Sequence, residues 1–178
     1  MRILTQVPQS VLWLLEDNPD AVLHLRNEAR ERGVDPARLI FAPRMSLSEH
    51  LARHRLADIF LDTLPYNAHT TTSDALWAGL PVLTCPGESF ASRVAASLLS
   101  AVGLPELIMF NQIEYERTAI EFAIHPDKLH AVKFKLSKNR LTTSLFDSEK
   151  FTRHLESSYQ KMMNRYESAQ PADHIYVQ

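Results

Sequence analysis

Short apolar runs alternate with longer amphipathic stretches along the first 110 residues of the chain. Five runs of strand length are apolar at nearly every position: residues 10–16, 38–43, 58–63, 81–86 and 106–110. Continuous apolar strands are typical of a parallel sheet that is buried on both faces. The stretches between them have helical periodicity, and parallel strands need such crossover connections. The pattern therefore predicts an α/β fold with five parallel strands covered by helices.

Two kinds of helix-boundary signal occur between the predicted strands. The helices predicted over residues 21–33 and 89–103 each end at a glycine, which readily adopts the left-handed conformation found at helix ends. The helix predicted over residues 46–57 begins with Ser46, and Glu49 follows three residues later. This is the spacing of a capping box, so we expect the two side chains to cap the helix reciprocally.

Helical periodicity continues without interruption by strands beyond residue 111. The predicted helices cover residues 112–124, 126–141 and 148–168. The last residues, 169–178, are polar and predicted to form a flexible tail. The sequence thus predicts one domain over residues 1–168, in which residues 112–168 form a helical C-terminal extension.

Three loops are the expected location of a ligand site. In an open α/β sheet, ligands bind beyond the carboxyl ends of the strands, close to helix N-termini. In the predicted order of strands and helices, the loops at these ends are residues 43–50, 63–74 and 86–92.

The middle loop carries the hydroxyl-rich sequence AHTTTSD, followed by a helix predicted over residues 71–79. A helix N-terminus offers unpaired N–H groups and a partial positive charge, which together suit a phosphate. Asp74 lies in the first turn, where it caps the helix or accepts a hydrogen bond from a ribose hydroxyl. In the alternative interpretation Thr71 or Thr72 only caps the helix and His69 is a surface residue, and hydroxyl-rich helix starts of this kind are common.

The first loop leads into a helix that carries two histidines and an arginine. His50 and Arg53 share one helix face, and His54 lies one turn beyond His50. A histidine pair at this spacing can bind a metal, but the glutamate of an HExxH motif is absent. Alternatively, His50 stacks on a base while Arg53 offers planar hydrogen-bond donors. The third alternative is an ordinary solvated basic face.

The third loop contains three further polar candidates, Glu88, Ser89 and Arg93. Glu88 and Ser89 lie where a ligand at the strand ends would reach them. Arg93, one turn into the predicted helix, would meet a phosphate or a neighbouring acidic group. A purely structural role for Arg93 is equally compatible with the sequence.

Composition narrows the function classes further. The net charge is −2 and the chain is 45% hydrophobic and 22% charged, so it resembles ordinary globular proteins rather than nucleic-acid binders with a basic stripe. No run approaches the 18 apolar residues of a membrane span. The single cysteine, Cys85, excludes an intramolecular disulfide and favours a cytoplasmic location. Trp13 and Trp77 lie among apolar residues and are expected in the core.

The segments that surround the three loops resemble one enzyme family. They read VPQSVLWLL, LADIFLDTLPYNAHTTTSDALWAGLPVLT, PGESFASRVAASLL and LFDSEKFTRHLESSYQKMMNRY, in this order, between Ile3 and Tyr166. All four resemble the C-terminal catalytic half of the O-linked N-acetylglucosamine transferases, their bacterial tetratricopeptide-linked relatives and SPINDLY-like proteins. The resemblance implies a GT-B fold, with two facing Rossmann-like domains of which the second binds the sugar nucleotide. It also implies UDP-GlcNAc as donor, a protein Ser or Thr hydroxyl as acceptor, and no metal or other cofactor.

The resemblance assigns roles to individual positions. By position, His69, Thr70 and Thr71 match the HTT sequence that holds the diphosphate, which places His69 and Thr70 beside the reacting bond. His69 would donate a hydrogen bond to the phosphate or to the sugar, depending on its tautomer. The remaining matching positions are implied to contact the nucleoside. Asp74 would contact the ribose, and His50 and Arg53 would contact the uracil. The backbone near Met45 would lie against the base.

The chain also departs from the family pattern. Leu47 replaces a lysine that some members carry near the ribose, and Ala68 replaces a frequent glycine before the histidine. The residues before Ser10 resemble a helix inside the second domain, so the preceding strand with its phosphate-binding lysine, the facing domain and the acceptor-presenting helical repeats are expected outside these residues. We therefore expect a nucleotide-binding half-site with little or no transferase activity by itself.

Two other functions are compatible with the sequence, namely a GDP-fucose-dependent protein O-fucosyltransferase half and a non-catalytic nucleotide-sugar-binding or interaction module. An exposed sheet edge or unpaired apolar helix face would favour homo-oligomers.

Overall fold

The strands of the protein lie inside the predicted apolar runs. In the computed structural model, which describes residues 1–177, the strands are β1 (Leu12–Leu15), β2 (Leu39–Ala42), β3 (Phe60–Leu61) and β4 (Val82–Leu83). β1 pairs with β2 and β3 pairs with β4, both in parallel. The fifth run contributes a single parallel bridge between Thr84 and Ile108. The predicted parallel α/β architecture is present, with shorter strands than the apolar runs.

The strands form two separate two-stranded sheets, which corrects the expectation of five strands in one sheet. The backbone N–H of Glu16 donates to Ala42 at the end of β2, and that of Asp62 donates to Leu83 on β4. The backbone N–H and C=O groups of alternate residues along a strand point to opposite sides. Every second residue of β1 therefore points its backbone groups away from β2, and every second residue of β3 points them away from β4. A cavity of about 830 Å³, lined by residues of β1 and β3, lies there. Within residues 1–177 the two sheet edges border this cavity and do not pair.

Eight α-helices surround the strands in the described part of the chain. They are α1 (Arg2–Gln6), α2 (Pro19–Glu31), α3 (Leu47–Arg53), α4 (Thr70–Ala78), α5 (Val94–Ala101), α6 (Gln112–Ile124), α7 (Pro126–Asn139) and α8 (Ser148–Glu167). None of the eight is both long and apolar enough to cross a lipid bilayer.

Two predicted helices change type along their length. α3 has the predicted capping box: the hydroxyl of Ser46 accepts from the Glu49 N–H, and the Glu49 carboxylate accepts from the Ser46 N–H. The segment then tightens into a 3₁₀ turn over His54–Leu56. The helix predicted from residue 89 likewise begins as a 3₁₀ turn, Phe90–Ser92, and becomes α-helical only at α5.

The larger apolar core lies between β3, β4 and the helices α4 to α7, and Leu76, Leu99 and Leu136 are fully buried there. A smaller cluster joins α1, α2 and β2. It consists of Leu4, Ala29, Val34 and Leu39.

Neither tryptophan belongs to these cores, which corrects the expectation from the sequence. Trp13 is 36% exposed, and the guanidinium of Arg53 lies 5.8 Å from the centre of its ring. Trp77 is 50% exposed and meets the edge of the Phe146 ring at 5.1 Å. Both lie in apolar stretches of sequence but on faces that residues 1–177 leave partly uncovered.

Strand direction sets the position of the three candidate loops. β2 ends at Ala42, β3 at Leu61 and β4 at Leu83. Because β3 and β4 run in parallel and Leu61 pairs with Leu83, the loops after them start at the same sheet edge. The loop after β2 leads into α3, which packs against α4.

Candidate functional site

The N-terminus of α4 is open to a ligand. His69 is the N-cap residue, yet its side chain makes no capping hydrogen bond. Its carbonyl oxygen accepts from the N–H groups of Thr72 and Ser73 at 3.1 and 3.2 Å. Within residues 1–177 the N–H groups of Thr70 and Thr71 have no hydrogen-bond partner, and both side chains are exposed. The alternative in which Thr71 or Thr72 caps this helix is therefore wrong.

His69 is held in a defined orientation beside this helix start. Its Nε2 lies 3.2 Å from the carbonyl oxygen of Ala91, which also accepts from the Asn67 N–H at 3.0 Å. The imidazole stacks on the ring of Tyr66 at 5.0 Å and meets the edge of Phe90 at 6.1 Å. A carbonyl oxygen only accepts, so Nε2 carries the hydrogen and Nδ1 is the nitrogen left for a ligand.

His50 and Arg53 form a hydrogen-bonded pair on α3. Arg53 donates through Nε to His50 Nδ1 at 3.0 Å and through Nη1 to the carbonyl of Pro43 at 3.0 Å. His54 donates from Nδ1 to the carbonyl of His50 at 2.7 Å, and the two imidazoles meet edge to face. Because His50 Nδ1 accepts, its proton lies on Nε2, which remains a donor for a ligand.

The surroundings of His50 favour its neutral form. Burial is the largest effect that lowers the pKa of His50, and the positive charges of His54 and Arg53 add to it. The carboxylate of Asp74 on α4 acts in the opposite direction. α3, which carries His50, packs against α4, which carries Asp74. Met45, on the loop before α3, is 45% exposed and contributes no polar side-chain group.

The polar side chains of the third loop mainly stabilise the loop itself. The Ser89 hydroxyl accepts from the Ser92 N–H at 3.2 Å and caps the 3₁₀ turn. The exposed Arg93 donates from Nε to the Ser89 carbonyl at 3.3 Å. Glu88 is exposed and forms no hydrogen bond or ion pair within residues 1–177. The contacts of this loop with His69 come instead from the Ala91 carbonyl and the Phe90 ring.

Sequence reasoning missed the residues that orient His69. The signal for Tyr66 and Phe90 was present, since one aromatic lies three residues before the histidine and the other follows the PGES turn. The Ala91 carbonyl is a backbone group 22 residues away from His69, and no side chain marks it. Among residues 1–177, no group of three or more His, Cys, Asp or Glu side chains is arranged to hold a metal ion.

Comparisons with known proteins identify the family and the fold of the chain. The model of glycosyl transferase family 41 matches residues 1–155. The chain is 41% identical over 175 residues to the UDP-N-acetylglucosamine–peptide N-acetylglucosaminyltransferase of Caenorhabditis elegans. It is 43% identical over 176 residues to the probable enzyme of this name, SEC, of Arabidopsis thaliana. Each alignment covers 98% of this chain but only 15% and 18% of the relative.

A solved structure confirms the fold class. A variant of the O-GlcNAc transferase of Thermobaculum terrenum superimposes with a TM-score of 0.84 and 34% identity, over 90% of this chain and 32% of that chain. This likeness confirms the Rossmann-like α/β fold expected for the second half of a GT-B glycosyltransferase. The family resemblance inferred between Ile3 and Tyr166 is also confirmed. The chain belongs to glycosyl transferase family 41.

Proposed function

We propose that this chain is the donor-binding part of a UDP-sugar-dependent glycosyltransferase that transfers N-acetylglucosamine to Ser or Thr hydroxyls of proteins. The observation that carries the proposal is the open N-terminus of α4, with His69 fixed beside it and the His50–Arg53 pair on the adjacent helix. The names of the relatives from Caenorhabditis elegans and Arabidopsis thaliana support the choice of donor and acceptor.

In this proposal the diphosphate binds at the start of α4. The free N–H groups and exposed hydroxyls of Thr70 and Thr71 are four donors on one helix end, and the helix dipole adds a partial positive charge. Transfer of the sugar leaves a nucleoside diphosphate, so donors fixed at this position stabilise charge that develops on the leaving oxygen. We propose that this cradle acts without a metal ion.

His69 contributes through Nδ1, because its Nε2 hydrogen is used by Ala91. A protonated His69 donates from Nδ1 to a phosphate oxygen, whereas a neutral His69 accepts there from a sugar hydroxyl. Both proposed contacts use Nδ1, and the sugar contact differs from the donor role expected from the sequence because an Nδ1 without a hydrogen accepts.

The nucleoside lies over α3 in the same proposal. His50 presents its ring and the Nε2 hydrogen to the uracil, and Arg53 keeps the ring in place while offering its guanidinium plane. Asp74 accepts from a ribose hydroxyl, and the backbone near Met45 lies against the base. Glu88, Ser89 and Arg93 are assigned a supporting role around the diphosphate loop.

The chain spans 15–18% of the length of the curated relatives it matches. We propose that the protein acceptor binds to a facing domain and to helical repeats outside residues 1–178, and that these residues by themselves transfer little or no sugar. A cytoplasmic location is proposed from the single, buried cysteine.

Calorimetric titration with UDP and with GDP tests the proposal. We expect UDP to bind and His50→Ala or Asp74→Ala to weaken it, while Glu149→Ala, an exposed substitution on α8, leaves the affinity unchanged. Preference for GDP would reject the assignment of the uracil site and favour a GDP-sugar donor. Absence of binding by either nucleotide would reject the donor-binding proposal and favour a non-catalytic interaction module.

A further inference from the structure

A buried carboxylate lies at the end of β3, directly before the loop that carries His69. Asp62 is 6% exposed, and within residues 1–177 it has no ion-pair partner. A buried charge is costly unless hydrogen bonds satisfy its oxygens. The hydrogen bonds of Asp62 are therefore the feature to explain.

Donors from two neighbouring segments satisfy this carboxylate. Oδ1 of Asp62 accepts from the N–H of Thr63 at 2.9 Å and from the N–H of Ala68 at 2.7 Å. Oδ2 accepts from the hydroxyl of Thr84, a fully buried residue that follows β4, at 2.6 Å. One carboxylate oxygen thus joins the two ends of the loop, and the other joins the loop to the adjacent strand.

The backbone of Asp62 is fixed as well. Its N–H donates to Leu83 at 3.0 Å, and its carbonyl oxygen accepts from the Tyr115 hydroxyl of α6 at 2.8 Å. Burial, followed by the negative charge of Asp62, raises the pKa of Tyr115, so the phenol remains a protonated donor. Asp62 cannot shift without breaking contacts to two elements.

Ala68, whose N–H donates to the Asp62 carboxylate, is the residue immediately before His69. A displacement of the Ala68 N–H would move the N-cap of α4 and with it the Thr70 and Thr71 donors. Hydrogen bonds to a charged acceptor are stronger than those to a neutral amide. The negative charge of Asp62 therefore helps to hold the start of α4 in place, where a diphosphate would bind.

We propose that Asp62 is a positioning residue, which acts through the Ala68 N–H and the Thr84 hydroxyl to hold His69 and the start of α4 in the diphosphate-binding geometry. The inference rests on the proposed function of that site. The effect should fall on the diphosphate, because His50 and Arg53, which are proposed to contact the uracil, lie on α3, and Asp74, which is proposed to contact the ribose, lies beyond the first turn of α4.

Asp62→Asn tests this role with the shape of the side chain preserved. UDP affinity should fall about tenfold, the size expected for a weakened hydrogen bond to a charged group. The affinity for uridine, which lacks the diphosphate, should stay unchanged, and the His69 side-chain NMR signals should shift in the unliganded protein. Equal weakening of UDP and uridine, or unchanged His69 signals, would overturn the proposal.

Tyr115→Phe is the matched control, since it removes one hydrogen bond to the same residue but leaves the carboxylate intact. We expect it to lower the unfolding temperature while UDP affinity changes much less than in Asp62→Asn. Proportional loss of stability and UDP affinity in both variants would mean that Asp62 is only structural.

A measurement on the unmodified chain covers the case in which Asp62→Asn does not fold. Amide hydrogen exchange at Ala68 should be slow, whereas exchange at Tyr66, whose N–H has no partner within residues 1–177, should be fast. Equally fast exchange at both positions would refute the inference. Failure of UDP to bind would reject the proposed function, but the exchange rates and the His69 signals would still report on Asp62.

Discussion

The Nε2 atom of His69 lies 3.2 Å from the carbonyl oxygen of Ala91, and this contact joins the loops that follow β3 and β4. It fixes the tautomer of the imidazole, because a carbonyl oxygen can only accept. It also leaves Nδ1 as the nitrogen available to a ligand at the start of α4. The tautomer of the imidazole can be measured directly.

Because Nε2 donates to the Ala91 carbonyl, we expect neutral His69 to carry its hydrogen on Nε2. Long-range ¹H–¹⁵N NMR spectra of the unliganded chain should therefore show the Nε2–H tautomer. His69→Ala should weaken UDP binding but leave uridine binding unchanged, because the proposed nucleoside contacts, His50 and Arg53 on α3 and Asp74 further along α4, do not include His69. A predominant Nδ1–H tautomer would contradict the hydrogen bond to Ala91.

Two adjacent threonines in the same turn should respond in opposite ways to loss of their hydroxyls. Thr71 is exposed, so Thr71→Val should leave stability unchanged and weaken UDP about fivefold, the size of one hydrogen bond near 1 kcal/mol. Thr72 is fully buried and donates to the Ala68 carbonyl at 3.1 Å. Thr72→Val should lower the free energy of unfolding by about 1–2 kcal/mol.

Chemical denaturation and calorimetry on the same two variants check this contrast. If Thr71→Val lost stability and kept its UDP affinity, the exposed hydroxyl would have a structural role and the diphosphate cradle would need a different donor set.

The helix start at α4 could be located from sequence because its signals are local. A polar, hydroxyl-rich segment follows an apolar run and precedes a helical one, and the capping box of α3 is similarly contained within four residues. Family resemblance then selected a ligand role for residues that local physics assigned to capping.

Other features depended on contacts between distant residues. The partner of His69 is a backbone carbonyl on another loop, and the Asp62 carboxylate meets Thr84 from a neighbouring strand. The burial of Trp13 was predicted wrongly because an apolar neighbourhood in sequence does not determine which face a partner covers. The division of the sheet into two parts was missed for the same reason, since strand pairing depends on the edges that are present.

Removal of divalent metal ions should not weaken UDP binding. The donors proposed for the diphosphate are N–H groups, hydroxyls and an imidazole, and Mg²⁺ would compete with them for the same phosphate oxygens. We expect titration in EDTA to give an affinity at least as high as titration in Mg²⁺. Loss of UDP binding in EDTA would show that the cradle needs a metal ion.

The stability of the chain should fall as the pH drops below about 6.5, the usual pKa of histidine. Burial and the charges of His54 and Arg53 lower the pKa of His50 in the folded state. The unfolded chain therefore binds a proton at this position more readily, and stability decreases as the pH falls from the unfolded pKa to the folded one. Denaturation midpoints measured across this range, with and without His50→Gln, should show a smaller decrease in the variant.

Substitution of the charged neighbours of His50 should change the pKa of His50 in opposite directions. Arg53→Gln removes a positive neighbour, so an NMR titration should give a higher pKa for His50 than in the unmodified chain. Asp74→Asn removes the opposing negative charge and should lower the pKa of His50 further. If Asp74→Asn left the His50 titration unchanged, Asp74 and His50 would be too far apart to hold one nucleoside between α3 and α4.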